Sequence, residues 1–355
     1  MPRLHDKLIG ASLAIAVLVI VSLPKSDLPP FKGNDFWSVS GEKKERGISD
    51  LGWDLRDEKI LRVWWDDGDH SYRITLQRLG VNNLPNIRAV EHRQKNGDVF
   101  GKWMLVNRSD SGWLPPLIVK ALENYDKGPR AFTGGSHGST GAADGRPTAK
   151  NTNFQIVVDG AEKDAPGRGK AKDITVYVTN DIVGFNTKES GRLVMRQQFV
   201  IEFRDGGIYI DTDNTALENV GVVVDYALQP ITTGFKGQRT SYGSEVSTEP
   251  YVDADFNTGP KSQNPSVWAA SFESAEHGGM MLWMDRGYKD GDVRYVDDRQ
   301  MLIRGSQYSR WYLGVVLADL STRPNGFEFK KGDSYGYRAG VVFTPPNEEV
   351  SIVNW

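Results

Sequence analysis

Beyond residue 49 the apolar positions of this chain fall in short β-branched and aromatic runs broken by Gly, Asp and Asn, and few windows keep the spacing of a helix. The clearest runs predict strands at Ile60–Trp65, Tyr72–Gln77, Phe154–Asp159, Asp173–Thr179, Leu193–Phe203, Val220–Leu228, Val267–Phe272, Met280–Met284, Trp311–Leu317 and Tyr337–Phe343. Asp205-Gly206-Gly207, between Phe203 and Ile208, is a hairpin signal, and Asn325-Gly326 and Gly332-Asp333 are similar. One short helix is predicted near Pro116–Asn124, where the first turn follows two prolines.

Many strands without a βαβ rhythm and without an internal repeat predict an all-β fold, an antiparallel β-sandwich of jelly-roll or supersandwich-like type. Its body is assigned to residues 49–355, with a subdivision near residue 259 as the alternative, since Thr258–Asn264 is rich in turn formers.

The N-terminus follows another pattern. Arg3 and Lys7 precede an uncharged run from Leu8 to Leu23, which as a helix reaches roughly 24 Å, a little short of a bilayer core. Residues 1–24 therefore read as a signal anchor or signal peptide. The absence of a small-x-small cleavage site before Pro24 favours a retained membrane-targeting helix, with the positive end inside. Residues 25–48, rich in Pro, Gly, Lys and Ser, read as a tether. The body is then expected outside the cytoplasm, facing the periplasm or cell exterior, or secreted.

Composition narrows the chemistry. There is no cysteine among the 355 residues, which excludes thiol catalysis, disulfides and thiolate metal sites. A net charge of −3 without a basic tract argues against nucleic acid as a partner. The five histidines look scattered and no HExxH occurs, so no metal site and no cofactor is expected, apart from calcium through Asp211 and Asp213 as an alternative. The glycine-rich stretch Phe132–Asn151 lacks the order of a phosphate-binding loop.

That stretch is the first candidate site. Gly134, Gly135 and Gly138 flank His137 and let a ligand approach the imidazole, with Asp144, Arg146, Lys150 and Asn151 following. A second group lies on Leu193–Phe203, where alternation puts Arg196, Gln198 and Glu202 on one face and Met195, Gln197, Phe199, Ile201 and Phe203 on the other. Pairing with Val220–Leu228 would bring Asp225, Tyr226 and Gln229 beside that face. Trp64, Trp65, Trp103, Trp113, Trp311, Tyr312, Tyr335 and Tyr337 supply either a groove lining or core. His277, followed by two glycines, is a candidate for the groove edge, whereas His92, in an alternating run, reads as a surface residue. Asp66–His70 reads as a hairpin connection.

The segments Ser111–Ile118, Phe132–Gly138 with Pro147-Thr148-Ala149, and Asp225–Gln229 resemble poorly characterised β-sandwich proteins of phage tails and bacterial surfaces thought to act on polysaccharides. The resemblance spans about a third of the chain. It implies that His137 and the residues just after it belong to the site. The apolar N-terminus departs from a tail protein and points to a membrane-tethered cellular form.

Three functions fit. A polysaccharide lyase acting on a uronate glycan needs a base, an acid and a carboxylate neutraliser: His137 or Tyr226 for the first two, Arg146, Arg196, Asn151 or Gln198 for the third. A glycoside hydrolase needs two opposed carboxylates, such as Glu202 with Asp225 or Asp144. A non-catalytic glycan-binding module needs only the aromatics and arginines.

Overall fold

Runs of Val, Ile, Leu and aromatic residues in alternation with polar ones become strands here because each strand buries one side and pairs its backbone with neighbours. In the computed structural model the chain divides into two units, Met1–Phe36 and Trp37–Trp355. The structure describes residues 48, 50–126, 128–138, 145–250, 267–285, 295–296, 302–305 and 310–348, all in the second unit. The expected boundaries at 24 and near 259, the N-terminal helix, most of the tether and Asp144 lie outside the described residues. Among the described residues no helix is long and apolar enough to cross a membrane.

The strands are β1 (Leu51–Arg56), β2 (Ile60–Asp67), β3 (His70–Leu79), β4 (Leu84–Asn96), β5 (Val99–Phe100), β6 (Met104–Arg108), β7 (Leu117–Ala121), β8 (Ala149–Val158), β9 (Ala161–Glu162), β10 (Gly167–Ala171), β11 (Ile174–Val183) and β12 (Leu193–Arg204). There follow β13 (Gly207–Ala216), β14 (Val220–Asp225), β15 (Gln238–Tyr242), β16 (Val246–Pro250), β17 (Ala269–Ser274), β18 (Gly278–Met284), β19 (Tyr295–Val296), β20 (Leu302–Gly305), β21 (Arg310–Leu313), β22 (Val316–Leu317), β23 (Phe327–Phe329) and β24 (Ser334–Thr344). The large sheet runs β16-β15-β17-β18-β24-β13-β12-β11-β8-β9. A second sheet runs β10-β1-β2-β3-β4-β5, with β6 also on β4; a third runs β19-β22-β14-β23, with β7 also on β14. Among the described residues all pairs are antiparallel except β19 with β22.

Strands β20 and β21 pair in a separate two-stranded sheet, and the second and third sheets pack on one face of the large one. Trp65 and Tyr72 of the second sheet meet Phe343 at ring separations of 6.1 and 5.4 Å. From the third, Asp225 bonds Asn214 and Tyr335. Phe343, Tyr335 and Tyr337 share a side of β24, and Phe199, Ile201 and Phe203 of β12 lie on the same side of the sheet through β13. This face is the core: these residues are all buried.

Two expectations are corrected. The segment predicted as a helix is strand β7. Leu117, Ile118 and Val119 are buried and the strand pairs with β14, so tertiary burial of a β-branched run overrides the local signal. The neighbour of β12 is β13, closed by the Asp205-Gly206 turn, and not β14, which belongs to the third sheet.

Candidate site: an aromatic row at His137

Residues 133–138 are folded onto the sheet edge by bridges Leu117↔Thr133, Gly134↔His137 and Gly138↔Pro147. Gly134 and Gly135 take φ of 74° and 50°, and a Cβ on Gly135 would stand 2.8 Å from the Pro116 nitrogen, so glycine is required there. One buried side chain pins the segment. The Asn82 amide nitrogen lies 3.2, 3.1 and 2.5 Å from the carbonyls of Gly134, Gly135 and His137. Its oxygen accepts the N–H groups of Thr148 and Ala149 at 2.6 and 3.1 Å. The Thr148 hydroxyl donates to the His137 carbonyl at 2.6 Å. The His137 backbone is therefore rigid while its ring stays partly exposed.

That ring opens a row of aromatics. His137 lies 5.5 Å from Phe132, Phe132 5.9 Å from Tyr226, and Tyr226 4.5 Å from Tyr312. Phe132 and Tyr226 are partly exposed, Tyr312 buried. Arg310 shares a side of β21 with Tyr312, and its guanidinium reaches the hydroxyls of Ser109 and Ser111. Strand β21 is held against the segment after β14 by Leu313 N–H to Leu228 and Trp311 N–H to Pro230.

His137 and Tyr226, 89 positions apart in sequence by their numbering, are thus joined through Phe132. Phe132 and Tyr312 complete the row and were not singled out as partners of His137 by the sequence. The sequence counts Tyr312 among the aromatics that could line a groove, without giving it a partner.

The other sequence candidates go elsewhere. Arg196, Gln198 and Glu202 do project together, on the outer face of the large sheet. Arg196 forks onto Asp181 at 2.8 and 3.0 Å, a bond that raises its pKa, and Glu202 accepts from Arg204 at 3.0 Å. Lys150 is exposed, opposite Asp181 in the β8–β11 register. Arg146 pairs with Glu189 at 2.7 Å. The Asn151 side chain accepts from Arg78 at 2.9 Å and faces the acceptors of Asn153, Thr179 and Asn180. Gln229 is buried and donates to the Gly112 carbonyl. Asp225, Tyr226 and Gln229 therefore do not adjoin the Arg196 face. Asp225 is fully buried on the inner side of the sheet and Glu202 lies on the outer side, so these two carboxylates cannot flank one glycosidic bond. Of the two weighed for calcium, Asp211 accepts the Arg338 guanidinium at 2.7 Å and Asp213 the Thr215 hydroxyl at 3.1 Å.

Three of the five histidines are not scattered. His70 Nδ1 lies 3.0 Å from His92 Nε2 with the rings stacked, and His277 meets His92 edge-on at 5.5 Å. His92, expected at the surface, has no exposure, and His277 belongs to this cluster rather than to the aromatic row. Burial, then His70 and His277, push the His92 pKa down to about 4. Among the described residues no group of three or more His, Cys, Asp or Glu is arranged to hold a metal ion. Trp65, Trp113, Trp311, Tyr335 and Tyr337 are core rather than groove lining.

The described residues form an all-β protein of packed, mainly antiparallel sheets that carries a row of partly exposed rings. No protein-family model matches the chain. No curated protein matches it either, so the resemblance to phage-tail and surface proteins has no counterpart there. Among solved structures, the crystal structure of galactose 1-epimerase from Lactobacillus acidophilus NCFM is similar at a TM-score of 0.35 and 8% identity, over 84% of this chain and 99% of that one. A likeness of that size carries no weight for function.

Proposed function

We propose that this chain binds a polysaccharide across the row His137–Phe132–Tyr226, which the buried Tyr312 backs, and cleaves it there by β-elimination next to a uronate, working outside the cytoplasm behind its N-terminal anchor. The observation that supports this is the contiguity of the rings, of which His137, Phe132 and Tyr226 are partly exposed, with an imidazole at one end and the Tyr226 phenol beyond Phe132. Aromatic rings offer apolar faces to the C–H faces of sugars while their polar tips hydrogen-bond. In the elimination His137 takes the proton from the carbon beside the carboxylate. The electron pair forms the C=C bond, and the departing glycosidic oxygen takes a proton from Tyr226. Arg310, which shares a side of β21 with Tyr312, takes the place proposed for a carboxylate neutraliser.

A purely binding role is favoured by one feature: the rings suffice for stacking without any titrating group. The test is to incubate the full-length protein with polygalacturonate, alginate, hyaluronan and a neutral glucan, following unsaturated-uronate absorbance together with reducing ends. Both signals rising, and vanishing in His137→Ala, is the expected result. Reducing ends alone would replace the lyase by a hydrolase. Binding without products, lost in Tyr226→Ala, would leave a glycan-binding module, and silence in every assay would refute the reading.

A further inference from the structure

Resting on that reading for the role of Tyr226, we infer that Asp225 is a positioning residue: its buried carboxyl clamps a left-handed turn at Ala227 and so fixes where the Tyr226 ring stands between Phe132 and Tyr312.

Four consecutive residues carry the argument. Asp225, Ala227 and Leu228 are buried, and Tyr226 alone of the four is partly exposed. Ala227 takes φ of 52°, a region that L residues avoid, and the Leu228 N–H closes a three-residue turn onto the Tyr226 carbonyl. Such a turn persists only where its surroundings over-determine it. Both polar groups of the Ala227 backbone are taken by buried side chains: its N–H donates to Asp225 Oδ1 at 2.8 Å, and its carbonyl accepts the Tyr337 hydroxyl. The other Asp225 oxygen accepts from Asn214 Nδ2 at 3.0 Å and from the Tyr335 hydroxyl at 2.8 Å. The clamp is thus built from two adjacent strands of the large sheet, β13 and β24, and it ends in a single peptide whose neighbour is the exposed ring. A strand ending in Asp225 without it has no reason to turn left-handed at an alanine.

Among the described residues no cation bonds this carboxyl. The groups facing it are the phenols Tyr335 and Tyr337 from β24, Asn214 from β13, and the backbones of its ladder partners Leu117 and Val316; Tyr337 is bonded in turn to Thr212. Burial, against the bonds from Ala227, Tyr335 and Asn214, raises its pKa to about 6. The charged acceptor that grips the Ala227 N–H is therefore lost on mild acidification.

The experiment uses the full-length protein labelled with 3-fluorotyrosine, in which the Tyr226 fluorine resonance is identified by its absence in Tyr226→Phe. Asp225→Ala is expected to shift or broaden that resonance and to weaken polygalacturonate binding at least tenfold. Adding Ala227→Gly, which adopts positive φ without a clamp, should restore most of both. Asp225→Asn keeps an acceptor for Ala227, since the Asn214 amide can flip to meet it; it should retain the Tyr226 resonance and remove its pH step near 6. An unmoved Tyr226 resonance in folded Asp225→Ala, or a double variant that rescues nothing, overturns the inference. Should Asp225→Ala fail to fold, a pH step that survives in Asp225→Asn overturns it. Resonances behaving as expected in a protein that binds no polysaccharide would uphold the positioning role and sink the glycan reading.

Discussion

His92→Gln should remove an acid-sensitive weakness that this fold builds between its second sheet and the β17–β18 turn. His92 stands on β4 opposite Tyr72, with His70 Nδ1 at 3.0 Å, the Tyr72 ring at 5.0 Å and the His277 ring edge-on. Neutral, the His70 and His92 nitrogens share one proton. A cationic His92 would bring a second N–H to a buried Nδ1 that has no partner among the described residues. Its pKa falls from 6.5 to about 4, which at 1.36 kcal/mol per unit is about 3 kcal/mol. The unfolded chain binds the proton below 6.5 and the folded one only below about 4. Stability is therefore complete above 6.5 and is lost as pH falls toward 4. Urea unfolding followed by tryptophan fluorescence, at steps from pH 8 to 4, measures this. The wild-type unfolding free energy minus that of His92→Gln should drop by about 3 kcal/mol across the window, with His70 adding a smaller change of the same sign in both proteins. A difference that stays level from pH 7 to 4 would refute the reasoning.

Other outcomes follow from the same packing. Asp225 titrates in the opposite sense: with its folded pKa raised from 3.8 to about 6, its stabilisation is present below 3.8 and lost as pH rises through 6. Asp225→Asn should therefore gain stability relative to wild type between pH 4 and 7, read by the same urea series. Asn82→Ala leaves the buried N–H groups of Thr148 and Ala149 unpaired and should cost about 2–5 kcal/mol, checked by thermal unfolding and by faster proteolysis near residues 131–148. Gly52→Ala would put a Cβ 2.0 Å from the Trp64 ring and should destabilise by about 1–3 kcal/mol, measured by denaturation. Arg196→Ala and Gln198→Ala, on the outer sheet face, should leave polysaccharide binding within about twofold in a titration, because surface ion pairs contribute about 0–1 kcal/mol and neither side chain touches the aromatic row.

The amino-acid sequence by itself determined the class of the fold. Period-two alternation and Gly-centred turns are local signals, so the positions of most strands, the Asp205-Gly206 hairpin and the buried and outer faces of β12 could be read directly, whereas the run Trp311–Leu317 is split between two sheets and Val220–Leu228 ends as a strand at Asp225. The single helix expected failed where burial of Leu117–Val119 against β14 outweighed local preference, and β13 escaped because its polar positions interrupt its apolar ones. Site residues were legible only as types. His137 and Tyr226 were named, and so were Arg196, Asn151, Gln229 and His277, whose side chains serve the sheet, the loop base and the histidine cluster instead. Partners here lie far apart in the chain: Asn82 grips Gly134, Gly135, His137, Thr148 and Ala149, His92 meets His277, and Asp225 meets Tyr335. Which side chains share a surface is decided by strand order and sheet stacking. Those are properties of the whole packed core, and no local spacing encodes them.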